Sequence, residues 1–246
     1  MSVETAAGLL RSARRAVALT GAGISTASGL PDFRSPAGLW TSVDPFTVAT
    51  RTALERQPEA FYAFYRQRLA RLADAAPNPA HAALAAMERD GYLHAVITQN
   101  VDGLHQAAGS RVVIEIHGNL REAVCIGCGQ FFPVERLLAP LEAGALPRCG
   151  RCRALLKPNV VLFEDLLPED AWTRAMQAAQ SADVMLVVGS SLQVYPAASL
   201  PGETLDRGGR LIIVNLEPTP YDHLAAVTIR REAAQVLPQI ADAVRS

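Results

Sequence analysis

The sequence predicts an α/β fold in which a doubly wound parallel sheet carries two smaller insertions. Three observations predict it. Short apolar runs at 17–20, 93–98, 184–188 and 211–214 alternate with segments of helical periodicity, the rhythm of parallel strands joined by crossover helices. Each run ends in a glycine or polar cluster: Gly21-Ala22-Gly23, Gln99-Asn100-Val101-Asp102, Gly189-Ser190-Ser191 and Asn215. The carboxyl ends of strands in an open parallel sheet share one edge, and ligands bind there. Finally, all four cysteines fall between residues 120 and 157, where the alternation stops.

Composition narrows the classes. A chain of 246 residues can bury the core of one large domain, or of a large domain with a small insert. Half of the residues are hydrophobic and 19% are charged, which argues against disorder. A net charge of -1 gives no basic field for nucleic acid or acidic lipid, so neither is expected as a partner. The basic clusters Arg11–Arg15 and Arg66–Arg71 read as solvated helix faces. Met1–Leu10 lacks a charged leader ahead of a long apolar core, and no apolar run approaches the ~20 residues that span a bilayer. A soluble cytoplasmic protein is the expectation.

In chain order, Ala6, Leu9, Leu10 and Ala13 give Thr5–Arg14 a helical spacing. Val17–Thr20 reads as a buried strand that breaks into small residues at Gly21. Gly-x-Gly at such a strand end lets backbone N–H groups approach a phosphate; an ordinary tight turn is the alternative. The dinucleotide fingerprint is incomplete, because Thr26 occupies its third glycine position. Its acidic residue, due about 20 positions on, would be Asp44, which lies in a segment without a strand pattern.

Pro36, Gly38 and Pro45 punctuate a loop able to fold over a ligand. Phe61, Phe64, Tyr65, Leu69 and Leu72 then fall at helical intervals, so 35–77 reads as a small helical module. Pro79–Arg89 is a helix with proline at its start. Leu93–Thr98 and Val112–Ile116 are strands, the second ending in His117-Gly118-Asn119. Beyond the cysteines, Pro168–Ser181 is helical, Val184–Val188 and Leu211–Val214 are strands, and Val227–Ile229 is a last short strand before a helix over Glu232–Val244.

Cys125-x-x-Cys128 and Cys149-x-x-Cys152, with twenty residues between the pairs, have the spacing of a tetrahedral Cys₄ zinc site. A closed Cys₄ shell leaves no position for water, so such an ion is structural. A pair of redox dithiols is the competing reading. It wants a Cys-x-x-Cys at a helix start in a βαβ unit, whereas these pairs sit among glycines 127, 129 and 150.

Together Gly21-Ala22-Gly23-Ile24-Ser25, Gly29-Leu30-Pro31-Asp32-Phe33-Arg34, Thr98 to His105, His117-Gly118, the paired Cys-x-x-Cys and Gly189-Ser190-Ser191-Leu192 resemble the sirtuins of the bacterial type, NAD-dependent protein-lysine deacylases. The resemblance implies a discontinuous Rossmann-like NAD domain (1–34, 78–119 and 158–246), a cofactor loop with helical module (35–77) and a zinc module (120–157). It places Gly21, Ala22, Gly23, Thr26, Asp32, Phe33 and Arg34 along the NAD cleft. Gln99 would reach the nicotinamide ribose. Asn100, Val101 and Asp102 would form the nicotinamide pocket. Gly189, Ser190, Ser191 and Asn215 would hold the adenosine half, with Glu232 near the adenine.

The implied chemistry is cleavage of the nicotinamide–ribose bond by the acyl carbonyl oxygen, which requires a desolvated and shielded sugar. Phe33 would shield it and Asp102 hold the carboxamide, with Asn100 alongside. His117 would be the general base on the ribose hydroxyl, a task suited to imidazole. The products would be free lysine, nicotinamide and O-acyl-ADP-ribose. His105 reads as structural. NAD-dependent ADP-ribosyl transfer and a non-catalytic NAD- or zinc-dependent binding module are the competing functions.

Val160–Phe163 resembles the segment that pairs with the acyl-lysine peptide, with Gln193-Val194-Tyr195 on its other side, and Val161 and Phe163 walling the lysine tunnel. The family pattern has Gly-Glu after Phe163; this chain has Glu164-Asp165, which replaces glycine with a side chain and a charge beside the peptide groove and leaves the cofactor chemistry untouched. Tyr65 and Arg68 match a Tyr-x-x-Arg pair that recognises acidic acyl groups in one branch, and residues three apart share a helix face. A solvent-facing arginine beside a core tyrosine is the alternative. Asp32 in Gly-Leu-Pro-Asp-Phe-Arg resembles the deacetylase branches.

Overall fold

The structure is a computed structural model that describes residues 2–36 and 38–246. The first half contains α1 (Ser2–Ser12), β1 (Ala16–Thr20), α2 (Pro45–Val48), α3 (Arg51–Arg56), α4 (Pro58–Ala73), α5 (Pro79–Arg89), β2 (Ala95–Thr98), α6 (Leu104–Ala107) and β3 (Val113–Glu115). There follow β4 (Gly118–Cys125), β5 (Phe131–Pro133), α7 (Glu135–Glu142) and β6 (Leu156–Val160). The chain closes with α8 (Glu169–Ser181), β7 (Val184–Val188), α9 (Leu200–Asp206), β8 (Arg210–Val214), β9 (Val227–Ile229) and α10 (Ala233–Arg245).

Six strands form one parallel sheet in the order β3-β2-β1-β7-β8-β9. Its central strands are buried on both faces, as their unbroken apolar runs require. Alternate residues feed two cores. Ala16, Ala18, Val184, Leu186 and Val188 pack beneath α1, α5 and α10, while Val17, Leu19, Met185 and Val187 face α8 and α9. Two packed layers around a parallel sheet are the fold class the sequence predicts, and the order reverses between β1 and β7.

The second sheet is antiparallel, ordered β5-β4-β6, and shares a core with α2, α3, α4 and α7 through Leu54, Phe61, Tyr62, Leu120, Leu137 and Val160. Sequence periodicity did not reveal these strands. β5 is three residues long and its Phe131 is exposed, so no alternation develops. The boundaries of the first helix and of the second strand move most. The first helix starts at Ser2 and stops at Ser12, where the Asp183 carboxylate takes the Arg14 and Arg15 N–H groups. The strand expected from Leu93 begins at Ala95, because Leu93 N–H turns back to the Met87 carbonyl. Among the described residues, no helix is long and apolar enough to cross a membrane.

Candidate active site and zinc centre

The loops following β1, β2, β3, β7 and β8 open into one cleft of about 1480 Å³. It lies where the strand order reverses, the place at which an open sheet leaves a crevice for ligands. Two loops meet closely at its floor. Gly21 N–H and Gly23 N–H donate to the Val188 and Gly189 carbonyls at 3.0 and 2.9 Å, so these two groups are engaged within the protein. Gly189 has φ +58°, and a Cβ there would stand 2.3 Å from Ile24 N; only glycine fits.

A buried polar cluster lies below the cleft. Ser25 Oγ–H donates to Asp102 Oδ2 at 2.7 Å and accepts from Asn100 Nδ2 at 3.1 Å. Asn100 Nδ2 also reaches the Gly21 carbonyl at 3.2 Å, and Asp102 Oδ1 accepts from Leu104 N–H at 3.0 Å. His81 Nε2 lies 3.4 Å from the same Ser25 hydroxyl, while its Nδ1 accepts from Asn78 N–H. Burial pushes the His81 imidazole below its ordinary value and Asp102 opposes that shift. His105 packs 4.9 Å from His81, ring to ring, and its Nε2 meets Thr20 Oγ1 at 2.9 Å.

His117 follows β3 and is half-buried at the cleft, with Nδ1 3.1 Å from the Gln99 carbonyl oxygen. A carbonyl can only accept, so Nδ1 carries the proton and Nε2 presents a lone pair. Burial lowers the His117 pKa, partly offset by that hydrogen bond. The ring is therefore a neutral base at physiological pH.

Every residue expected to touch NAD or peptide lines this cleft. Gln99 Nε2 donates to Ser190 Oγ at 2.9 Å, joining the ends of β2 and β7 beside Gly189 and Ser191. Asn215 follows β8 and donates to the Glu217 carbonyl at 2.7 Å; Glu232 stands before α10, its carboxylate bonded to Gln235. Asp32 turns its carboxylate onto the Arg34 and Ser35 N–H groups, and Thr26 Oγ1 returns to the Gly23 carbonyl. Phe33 stacks 5.1 Å from Trp40, and the Arg68 guanidinium lies 4.9 Å above the Phe33 ring. Ala22, Val101, Arg34, Tyr65 and Val194 complete the walls. Val161 N–H donates to the His117 carbonyl at 2.9 Å, and Phe163 N–H to Ala49 at 3.0 Å.

The four cysteine sulfurs lie within 4.8 Å of one another. Zinc–thiolate bonds of about 2.3 Å in a tetrahedron demand sulfur separations of roughly 3.8 Å. Cys128–Cys149 measures 3.8 Å and Cys125–Cys152 3.3 Å. N–H groups of Gly127 and Cys128 point at Cys125 Sγ, and that of Arg151 at Cys149 Sγ. These donors stabilise thiolates, and four sulfurs gathered around one point fit a structural zinc ion.

The Sir2 family model matches residues 21–196. The chain belongs to the Sir2 family. It is 48% identical over 98% of its length to the NAD-dependent protein deacetylase of Caldivirga maquilingensis, covering 93% of that protein. It is 44% identical to the deacetylase of Thermotoga maritima, with 92% of each chain covered. Archaeal and bacterial relatives thus stand side by side. A solved Sir2 structure with p53 peptide and NAD+ superposes at a TM-score of 0.91, with 42% identity and 98% of both chains covered. Another, a histidine variant of Sir2 with deacetylated p53 peptide and 3′-O-acetyl ADP ribose, reaches 0.94 with 41% identity and the same coverage.

The site of this Sir2 chain also contains residues that sequence reasoning passed over. Ser25 closes the Gly21–Ser25 motif, and only the fold shows that it ties Asp102 to Asn100. His81 reads as part of an apolar helix, and its one signal was an imidazole amid the alanines of Pro79–Arg89. Trp40 and Phe64 surround Phe33 and Arg68, which only the folded loop reveals.

Proposed function

We propose that the chain removes acyl groups from protein lysine side chains, consuming one NAD and one water and giving free lysine, nicotinamide and O-acyl-ADP-ribose. The observation that carries the reading is the His117 tautomer. With Nδ1–H held by Gln99, the ring offers Nε2 to one cleft. General-base catalysis by such a group supplies about 10²–10⁴ in rate. NAD bound in the cleft supplies an electrophilic ribose carbon once nicotinamide departs. Asn100 and Asp102, held by Ser25, bind and orient the nicotinamide amide. Phe33, packed on Trp40, excludes water from the sugar. Gly189, Ser190, Ser191 and Asn215 bind the adenosine half. Val161, Phe163 and Val194 wall the recess that takes the acyl-lysine side chain. We place the reaction in the cytoplasm, where thiols stay reduced and able to hold zinc.

Acidic acyl groups are part of the proposed substrate range, together with acetyl. Among the described residues no carboxylate forms an ion pair with Arg68, which is packed over Phe33 and Phe64. Burial lowers its pKa while Tyr65 and Asp102 raise it. An unpaired guanidinium in an apolar recess favours a ligand carboxylate. The test measures nicotinamide release and lysine product with acetyl- and succinyl-lysine peptides. Peptide-dependent release is expected, with loss of lysine product in His117→Ala and selective loss of succinyl turnover in Arg68→Met. Release that ignores the peptide would point to ADP-ribosyl transfer or idle hydrolysis and refute the reading. Equal loss on both peptides in Arg68→Met refutes the acidic-acyl assignment.

A further inference from the structure

Glu164 stands at φ +77°, in the left-handed region that glycine favours and side chains avoid. The sirtuin pattern has glycine here. The strained backbone turns the carboxylate toward the helical module, where Oε2 accepts from both Thr52 N–H and Thr52 Oγ1–H at 2.9 Å. Thr52 belongs to the first turn of α3, 112 residues away in sequence.

Neighbouring backbone bonds run the same way. Phe163 N–H donates to Ala49, Arg51 N–H donates to Phe163, and Thr50 bridges Phe163 in parallel. On the opposite side, Val160 pairs with Gly118 and Val161 N–H is bonded to His117. Asp165 closes the turn beneath, accepting from Lys157 Nζ at 2.9 Å and Leu162 N–H at 3.2 Å. The segment is thus tied to the catalytic seam at one end and to the helical module at the other.

We propose that Glu164 is a positioning residue for the acyl-lysine peptide: its clasp on Thr52 holds the helical module against the groove segment, so Val161 and Phe163 are preset to receive substrate. The inference rests on the deacylase reading of the cleft. A segment ordered in advance spares the peptide the cost of ordering it on binding. Loss of the clasp therefore weakens peptide binding. It leaves the bond-making steps at His117 intact, as well as NAD binding on the loops after β1, β7 and β8. In this chain the glycine of the family pattern has been exchanged for a strained side chain whose two hydrogen bonds offset the strain.

Steady-state kinetics of the zinc-loaded enzyme on an acetyl-lysine peptide test it, with unfolding temperature recorded for each variant. In Glu164→Ala the peptide KM is expected to rise about tenfold, the scale of losing a charge-assisted pair of hydrogen bonds, with kcat and the NAD KM within about twofold. Thr52→Val removes one donor from the partner side and raises the peptide KM less, while Thr52→Ser retains both donors and keeps the wild-type value. Because both substitutions cut one contact, the Glu164→Ala/Thr52→Val double variant matches Glu164→Ala alone. A peptide KM unchanged in Glu164→Ala, a multiplicative double variant, or an NAD KM that rises in step overturns the proposal. Wild-type enzyme with no peptide-dependent nicotinamide release overturns the deacylase reading instead, and the clasp with it.

Discussion

Replacing His105 by leucine should flatten the dependence of stability on acidity. The His105 ring is 1% exposed. Thr20 directs its hydroxyl proton to Thr98 Oγ1 at 2.8 Å, so Thr20 Oγ1 accepts from His105 Nε2–H. Nδ1 is then a bare lone pair with no partner among the described residues. Protonation would create an N–H donor with no acceptor, beside a second imidazole. Burial first, and the nearby His81 second, push the His105 pKa down to about 3. Because the folded pKa is depressed, the unfolded chain binds the extra proton as pH falls through its own value near 6.5. Stability contributed by the neutral ring is whole above that pH and declines below it. From the linkage relation the loss is just under ~1 kcal/mol at pH 6 and about 2 kcal/mol at pH 5, relative to pH 7.5. Urea unfolding of wild type and His105→Leu across this range measures it. The wild-type curve should fall by about 2 kcal/mol more than the variant's by pH 5, since His81, the carboxylates and the thiolates titrate in both. Parallel curves would refute the assignment of a neutral, unpartnered His105.

Two further outcomes follow from the site. Burial places the His117 pKa below the ordinary imidazole value of about 6.5, so kcat/KM for peptide should be flat through neutrality and fall as one proton binds below that value; an acid limb centred above it would contradict the buried, Gln99-bound base. Cys125→Ser should lower bound zinc, measured by mass spectrometry of the native protein, from one ion per chain to none. Cys125 ends β4, so the small sheet should loosen and the peptide KM rise, while the parallel sheet keeps its circular dichroism; full zinc retention would refute the Cys₄ site.

Residues that line the cleft were legible because they cluster at strand ends. Gln99, Gly189 and Asn215 each follow an apolar run directly, and a parallel sheet then assembles distant loops on one edge. Their supports were not legible. Thr20 and Thr98 are the last residues of apolar strands and bond to each other across the sheet; nothing local marks a buried hydroxyl pair. His81 lies on the buried face of α5, and its tie to Ser25 exists only once β1 and α5 pack. The departure at Glu164 could be seen in the sequence, but its left-handed backbone and its partner 112 residues away could not.

The pair His117-Gly118 joins the two halves of this reasoning. Histidine uses three groups at once: Nδ1–H on the Gln99 carbonyl, the carbonyl on Val161 N–H, and a free Nε2. Gln99 N–H is itself bonded to Thr20, so the base is referenced to the parallel sheet that forms the cofactor side. Val161 references it to the peptide side. The very next residue already belongs to the antiparallel sheet, since Gly118 pairs with Val160. Passing between two sheets within one residue needs φ +76°, and a Cβ there would lie 2.1 Å from the Asn159 carbonyl oxygen, so a side chain would force the sheets apart. In the proposed reaction the glycine therefore fixes where the His117 base stands. It lets the base stand at the seam where the cofactor half and the peptide half of the cleft meet.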